Sequence, residues 1–139
     1  MEIKLNELSQ SALSYLGDSV MELYVRKLLI DSGIRGSRDL NAAAQKIVNA
    51  ASQACAYHEI AGILTEEESE IFKRGRNCGH LNVPKHAKMS DYRIATGFEA
   101  LLGYLSLSGQ EQRANDILSK CVHLPDDFNN TQRNCNEQV

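Results

Sequence analysis

Asp18 and Glu99 are the residues of this 139-residue chain whose types and setting could do chemistry. Asp18 falls within residues 12–25, where Leu13, Leu16, Val20, Leu23 and Tyr24 follow the three-and-four spacing of a buried helical stripe. An aspartate inside a helix has poor propensity, and its carboxylate is costly to bury unless a cation or a donor meets it. Gly17 beside it weakens the helix by a further ~1 kcal/mol relative to alanine. Two unfavourable choices side by side mark a functional demand, against the plainer reading of an aspartate that faces solvent. Glu99, 81 positions later, lies in a second stripe of Ile94, Phe98, Leu101, Leu102 and Leu105 that also carries Gly97 and Gly103. Such glycines are costly unless another backbone or a ligand comes close. If the two helices pack at their glycines, both carboxylates enter one cleft. That pair is a hard-oxygen site, of the kind that binds magnesium with waters and phosphate oxygens, and metal-activated water suits phosphodiester hydrolysis.

A second feature is electrostatic. Lys73, Arg74, Arg76, Lys85, Lys88 and Arg93 stand against one acid, Asp91, a local charge of +5 that leaves −8 on the rest of a chain whose net charge is −3. A basic segment on an acidic body is a directed feature, and phosphate is its commonest target. Lys73, Arg74, Arg76, Lys85 and Lys88 are therefore candidates for phosphate contacts across an A-form minor groove, which is recognised by shape and backbone. The competing reading for Lys73 to Arg76 is that a helix C-terminus favours cations through its dipole.

These groups must be positioned by helices, because neither a strand pattern nor an internal repeat is legible. Ser9 caps a first helix running to about Asp31, ended by Ser32-Gly33, and Ser37 caps a second from Arg38 to about Ala51. The second helix shows Leu40, Ala44, Ile47 and Val48 on one face. Its alanine-rich continuation, Ser52 to Ile63, is a separate or kinked helix suited to close packing. Thr65-Glu-Glu-Glu68 reads as a capping box opening a helix that passes Phe72 and frays at Gly75. Cys78 to Met89 reads as an exposed loop. Ser90 then caps the helix carrying Glu99, from Asp91 to about Leu107, and Ser108-Gly109 turns the chain into a last helix, Gln110 to Cys121, with Ala114, Ile117, Leu118 and Val122 inward.

The expected fold class is all-α, one catalytic domain over residues 1–122 followed by a polar tail, 123–139, without stable structure. With 42% apolar residues but no apolar run of membrane length, and no signal-peptide pattern at Met1 to Glu7, the expectation is a cytoplasmic protein without a membrane partner. Cys55, Cys78, Cys121 and Cys135 form no disulfide-like framework. Cys55-x-x-His58 with Cys78-x-His80 matches no standard closed zinc spacing, and His86 reads as a solvated loop histidine. Glu22 pairs best with Arg26 one turn on. Tyr15, Tyr24, Phe98 and Tyr104 read as core or dimer packing.

Tyr15-Leu-Gly-Asp-Ser-Val20 resembles the signature helix of the ribonuclease III family, and Ala95-Thr-Gly-Phe-Glu-Ala-Leu-Leu-Gly103 resembles its second metal-binding helix. With Lys73-Arg-Gly-Arg-Asn77, the resemblance is to the Mini-ribonuclease III branch, which lacks a double-stranded-RNA-binding domain. It spans roughly residues 8–122. The resemblance implies an all-α helical bundle, a homodimer that depends on Mg2+ and cuts double-stranded RNA, with the large-subunit (23S) ribosomal RNA precursor as substrate and a ribosomal protein as a further candidate partner. It places Asp18 and Glu99 on the catalytic, metal-coordinating carboxylates, and adds Asn77 to the candidate RNA-binding residues. Full-length relatives carry glutamates where this chain has Ser11 and Ser14, and an aspartate where it has Thr96. The short branch shares this thinner set. Two rival readings are a non-catalytic RNA-binding relative and a helical interaction module that binds no nucleic acid. Gly17-Asp18 and Glu99 weigh against both.

Overall fold

The computed structural model describes residues 7–78, 85 and 87–125. The expected polar start, most of the 78–89 loop with His80 and His86, and the tail with Cys135 fall largely or wholly outside them. Within the described residues the chain is helical and contains no strand. Its helices are α1 (Gln10–Asp31), α2 (Ser37–Val48), α3 (Ala50–Ile60) with a 3-10 turn at Ala61–Ile63, α4 (Glu66–Arg76), α5 (Met89–Leu107) and α6 (Glu111–Cys121).

α5 is the axis. It packs most extensively on α1, then on α4 and α3, and also touches α6. Of its expected stripe, Phe98, Leu101, Leu102 and Leu105 are fully buried and join Met21, Val25 and Leu29 of α1 and Ile117 and Leu118 of α6 in one core, while Ile94 is half-buried. At ~25 cal/mol per Å2 of apolar surface removed from water, this burial is what stabilises helices too short to persist alone.

The α1 stripe lies differently from the expected one. Its buried row is Leu13, Ser14, Gly17, Met21, Val25 and Leu29, whereas Leu23 is 57% exposed and Leu16, Val20 and Tyr24 are half-buried. The reason is Gly17: a Cβ there would overlap the Glu99 carbonyl, so only a glycine-bearing face can approach α5 this closely, and turning that face inward carries Leu23 outward. Gly103 repeats the arrangement from the other side, against the Leu13 carbonyl. α4 does not fray at Gly75 but runs through it, because Gly75 is buried against the Gly97 Cα and the Ala100 Cβ of α5.

Three helix starts also differ. Ser37 and Ser90 lie inside their helices, whose N-caps are Gly36 and Lys88 without a side-chain bond, and α6 starts at Glu111 with Gln110 as its N-cap. The α2–α3 break falls at Asn49, whose carboxamide accepts from Ser52 N at 2.9 Å and so caps α3. Ser9 caps α1 as expected, accepting from Ala12 N.

The capping box at Thr65 is present, with Glu68 N donating to Thr65 Oγ1 at 3.1 Å and Thr65 N donating to Glu68 Oε1 at 2.9 Å. Glu68 is buried, so its charge needs more than the cap. Arg113 of α6 supplies it, donating from Nε to Oε2 at 3.0 Å and from Nη2 to Oε1 at 2.9 Å. These bonds hold the Glu68 carboxyl below its usual range, the Arg113 hydrogen bond most of all. Glu68→Ala leaves the guanidinium partly buried without its acid and removes the cap, so a loss of about 2–3 kcal/mol is expected. Thermal melts at pH 7 check it. The difference from wild type is expected to shrink as the pH falls through the lowered Glu68 pKa, where wild type loses the same pair.

Candidate active site

A cleft of about 250 Å3 opens between the first half of α1 and the middle of α5, and both predicted carboxylates line it. Ser14, Tyr15 and Asp18 come from α1, Tyr92, Thr96 and Glu99 from α5, and Cys78 closes it from just beyond α4. The glycine contacts bring this about. With Gly17 against the Glu99 carbonyl, the neighbouring Asp18 is carried to the same crossing.

The two acids differ in setting. Asp18 reaches the cleft from its solvent side, and Glu99 is half-buried. Burial first, then the Glu22 charge, raises the Asp18 pKa above the ordinary carboxylate value. Glu99 is pushed up to about 7, by burial and then by the Asp18 charge, with a smaller push from Glu22 and an opposing hydrogen bond from Gln53. The Asp18 charge thus acts on Glu99 as one carboxylate does on another that shares its site. Glu22 is held by Arg26, whose Nε donates to its Oε2 at 3.2 Å, as its spacing predicted, yet its charge reaches both acids.

Ser14 and Thr96, also on the cleft wall, are engaged in structure. Ser14 Oγ donates to the Thr96 carbonyl at 2.9 Å, tying α1 to α5, and Thr96 Oγ1 donates to the Tyr92 carbonyl at 2.9 Å. Asp18 and Glu99 are therefore the charged oxygen donors lining the cleft. Two hard-oxygen groups open to solvent fit a divalent cation, which would offset both the burial and the Asp18 charge that raise the Glu99 pKa.

The basic residues fall into two groups. Lys73, Arg74, Arg76 and Asn77 lie on the last turn and C-cap of α4, immediately before Cys78 on the cleft wall. Lys73 and Arg74 are exposed, and Lys73 lies 3.8 Å from Glu70. Arg76 is partly covered: its guanidinium stands 5.7 Å from the Phe72 ring, which stacks on Tyr57 at 3.7 Å, and its Nε donates to Asn77 Oδ1. Lys88 is the exposed N-cap of α5, on the helix that carries Tyr92, Thr96 and Glu99, and Lys85 is exposed. Among the aromatics, Phe98 is in the core, Tyr24 and Tyr104 are half-buried, and Tyr15 is 83% exposed at the cleft. No group of three or more His, Cys, Asp or Glu residues placed to hold a metal occurs among the described residues. His80 of the zinc reading lies outside them.

The geometry agrees with what the chain is similar to. A family model described as the ribonuclease III domain matches residues 11–110, which include both carboxylates. The chain belongs to the ribonuclease III family. It is an endoribonuclease. A Mini-ribonuclease 3 of Symbiobacterium thermophilum is 42% identical over 106 residues, covering 76% of this chain and 82% of the relative. One from Enterococcus faecalis is 39% identical over 118 residues, covering 84% and 89%. A Fusobacterium nucleatum protein solved by X-ray crystallography superposes with a TM-score of 0.76 at 30% identity, covering 85% of this chain and 94% of that one. As in the expectation for the family, the described residues are all-α, and no helix among them is long and apolar enough to cross a membrane.

Sequence reasoning passed over one buried polar residue of this ribonuclease III-family chain. Gln53 of α3 is 3% exposed, and it lowers the Glu99 pKa against the larger effects of burial and Asp18. The signal was present: Gln53, Ala56, Tyr57 and Ile60 fall at helical spacing on the inward side of α3, and a glutamine at a core position needs a partner.

Proposed function

We propose that this endoribonuclease cleaves double-stranded RNA at the Asp18–Glu99 cleft with a magnesium ion, and that its substrate is a stem of the large-subunit (23S) ribosomal RNA precursor. The observation that carries the reading is the convergence of two carboxylates 81 positions apart in sequence on one solvent-open cleft, where burial first and then the Asp18 charge push the Glu99 carboxyl up to about 7. A non-catalytic RNA-binding relative would have no need of such a strained pair.

Asp18 and Glu99 would hold the ion, directly or through water. When bound, magnesium polarises the scissile phosphate and lowers the pKa of a coordinated water. Asp18, on the solvent side, is placed to face the RNA backbone, and Glu99 supports it from the buried side. In-line attack gives a 5′-phosphate and a 3′-hydroxyl. Lys73, Arg74, Arg76, Asn77, Lys85 and Lys88 would contact phosphates and sugars of an A-form duplex, fixing its register without reading sequence.

A single cleft addresses one strand. Cutting both requires a second site related by two-fold symmetry, so the active form is a homodimer. Support comes from Tyr15, a large aromatic side chain left 83% exposed at the cleft, and from Leu23 and Ile30 exposed further along α1. A ribosomal protein bound to the precursor is a further partner in this reading, and the setting is the cytoplasm. Residues 1–122 would form the catalytic domain.

The test is incubation of the purified protein with a ribosomal precursor stem and with generic duplex RNA, each with magnesium or with chelator. Cleavage of the stem only with magnesium is expected, and chelator-resistant cleavage refutes the metal role. Equal cutting of both substrates removes the ribosomal assignment and keeps the nuclease. Neutralising Lys73, Arg74, Lys85 and Lys88 together is expected to weaken duplex binding and to reduce the slope of log affinity against log salt by up to about 3–4, roughly one for each phosphate left unpaired. An unchanged slope, read by filter binding at several salt concentrations, takes these residues out of the interface.

A further inference from the structure

The cations at the end of α4 are not alike. Lys73 and Arg74 stand exposed, and Lys73 meets Glu70 only at 3.8 Å. Arg76 is held twice. Its guanidinium carbon lies 5.7 Å from the centre of the Phe72 ring, within reach of a cation–π contact. That ring has no room to move, being 1% exposed and stacked on Tyr57 with centres 3.7 Å apart and planes 12° from parallel. At its edge, Arg76 Nε donates to Asn77 Oδ1 at 3.2 Å. The ring and the acceptor together set both the place and the rotation of the guanidinium plane. Its two Nη groups have no partner among the described residues.

The dipole of α4 would favour any cation at this end, and it requires neither a ring nor an oriented Nε. An oriented guanidinium with both Nη groups free has the geometry for a two-point grip on a phosphate, which an ammonium lacks. The backbone beneath it is equally fixed. Gly75, the preceding residue, is buried where α4 crosses α5, and a Cβ there would come within 2.9 Å of the Gly97 Cα and 2.8 Å of the Ala100 Cβ. From the other side, a Cβ on Gly97 would press on the carbonyl and ring of Phe72. Gly97 and Ala100 flank Glu99. The contact that seats Phe72 and Arg76 therefore belongs to the stretch of α5 that carries Glu99, and backbone packing sets the spacing between the guanidinium and the cleft.

We propose that Arg76 sets the cleavage register: its guanidinium, oriented by the Phe72 ring and Asn77 Oδ1, grips one phosphate of the duplex through both Nη groups and so fixes which phosphodiester bond reaches the Asp18–Glu99 cleft. Asn77 is then a positioning residue that acts through Arg76 with its Oδ1, while its Nδ2 stays available to the RNA. Lys73 and Arg74 contribute charge, and Arg76 contributes place. The proposal rests on the reading of the α4 cations as contacts to duplex RNA.

The experiment compares full chains: wild type, Arg76→Lys, Arg76→Gln, Asn77→Ala, the double variant Arg76→Lys with Asn77→Ala, Arg74→Lys, and the protein neutralised at Lys73, Arg74, Lys85 and Lys88. Duplex affinity is measured in chelator by filter binding. Cut positions on an end-labelled ribosomal precursor stem are read to single nucleotides with magnesium, at saturating protein and below each melting temperature. Lysine keeps the charge and loses the fork. Arg76→Lys is therefore expected to bind about 10-fold more weakly, close to Arg76→Gln, and to scatter its cuts over neighbouring bonds, whereas Arg74→Lys matches wild type. Asn77→Ala is expected to scatter cuts too, and the double variant to scatter them no further than Arg76→Lys alone. Wild-type cut positions in Arg76→Lys overturn the register role, and so does a complete loss of cutting, which would make Arg76 part of the reaction itself. Additive scatter in the double variant removes the positioning role of Asn77. If both Arg76→Gln and the neutralised protein bind duplex like wild type, the interface reading has failed and takes the proposal with it. If the neutralised protein binds weakly while Arg76→Lys cuts as wild type does, the interface stands and the register role alone is refuted.

Discussion

Replacing Glu99 with glutamine is expected to abolish cleavage and, in metal-free solution at pH 8, to raise the melting temperature. The two effects share a cause. Burial and the Asp18 charge push the Glu99 carboxyl from 4.5 up to about 7, so the folded protein keeps a proton that the unfolded chain has released across that window. A group raised in this way stabilises the fold fully below its unfolded value and loses that contribution as pH rises through about 7. At pH 8 the ionised carboxylate is a net burden. The full interval corresponds to about 3 kcal/mol, and because Glu99 borders a solvent-open cleft a gain of about 1–2 kcal/mol is expected for the neutral isostere. The difference between the variant and wild type is expected to vanish near pH 4. Melts at pH 4, 6 and 8 in chelator check the sign, and an unchanged melting temperature at pH 8 shows that the carboxylate is not strained.

Cleavage moves the opposite way. A group worth several kcal/mol of charge stabilisation in the transition state is worth about 10³-fold in rate, and both Glu99→Gln and Asp18→Asn are expected to lose at least that with RNA binding retained. Wild-type cleavage at limiting magnesium is expected to fall as pH drops below about 7, because metal and proton compete for Glu99. Single-turnover cleavage of a labelled duplex separates these losses from binding, and full activity in either variant removes the site assignment.

The second large effect is steric. Gly17→Ala would ordinarily stabilise an α-helix by ~1 kcal/mol. Here the new methyl group falls on the Glu99 carbonyl, and that obstacle is backbone, which cannot rotate aside. The helices must separate, at a cost of about 3 kcal/mol. Because Asp18 and Glu99 sit at the same crossing, cleavage is expected to fail even where the variant is still folded. Gly62→Ala is the control, since nothing lies within 4 Å of a Cβ at that position. Denaturant unfolding of the two variants beside a cleavage assay decides it, and a stable, active Gly17→Ala protein shows that the two helices cross with room to spare.

Much of this was legible in the chain. The Thr65 box obeys a local rule, with donors and acceptors three residues apart, so it is readable without a fold. The Asp18–Glu99 pair was legible because each acid sits beside or between glycines in an apolar helix, and those glycines turned out to be the contact points. Where reading by periodicity failed, a long-range contact had decided the matter. Leu23 fits an apolar stripe but lies outside, because Gly17 fixes which face of α1 meets α5. Gly75 looked like a helix end, yet its missing side chain admits α5. Gln53 is legible by spacing as an inward position of α3, but its influence on Glu99, 46 positions away, is not.

The crossing of α1 and α5 also limits how the enzyme can adapt to its substrate. α5 is gripped by α1, α3, α4 and α6 at once, and its centre carries one half of the carboxylate pair. A spine clamped on so many sides cannot hinge without melting the whole bundle. If the enzyme acts as proposed, tolerance for irregular duplexes would reside in the exposed Lys73, Arg74, Lys85 and Lys88 side chains, while the carboxylate pair stays on a fixed frame.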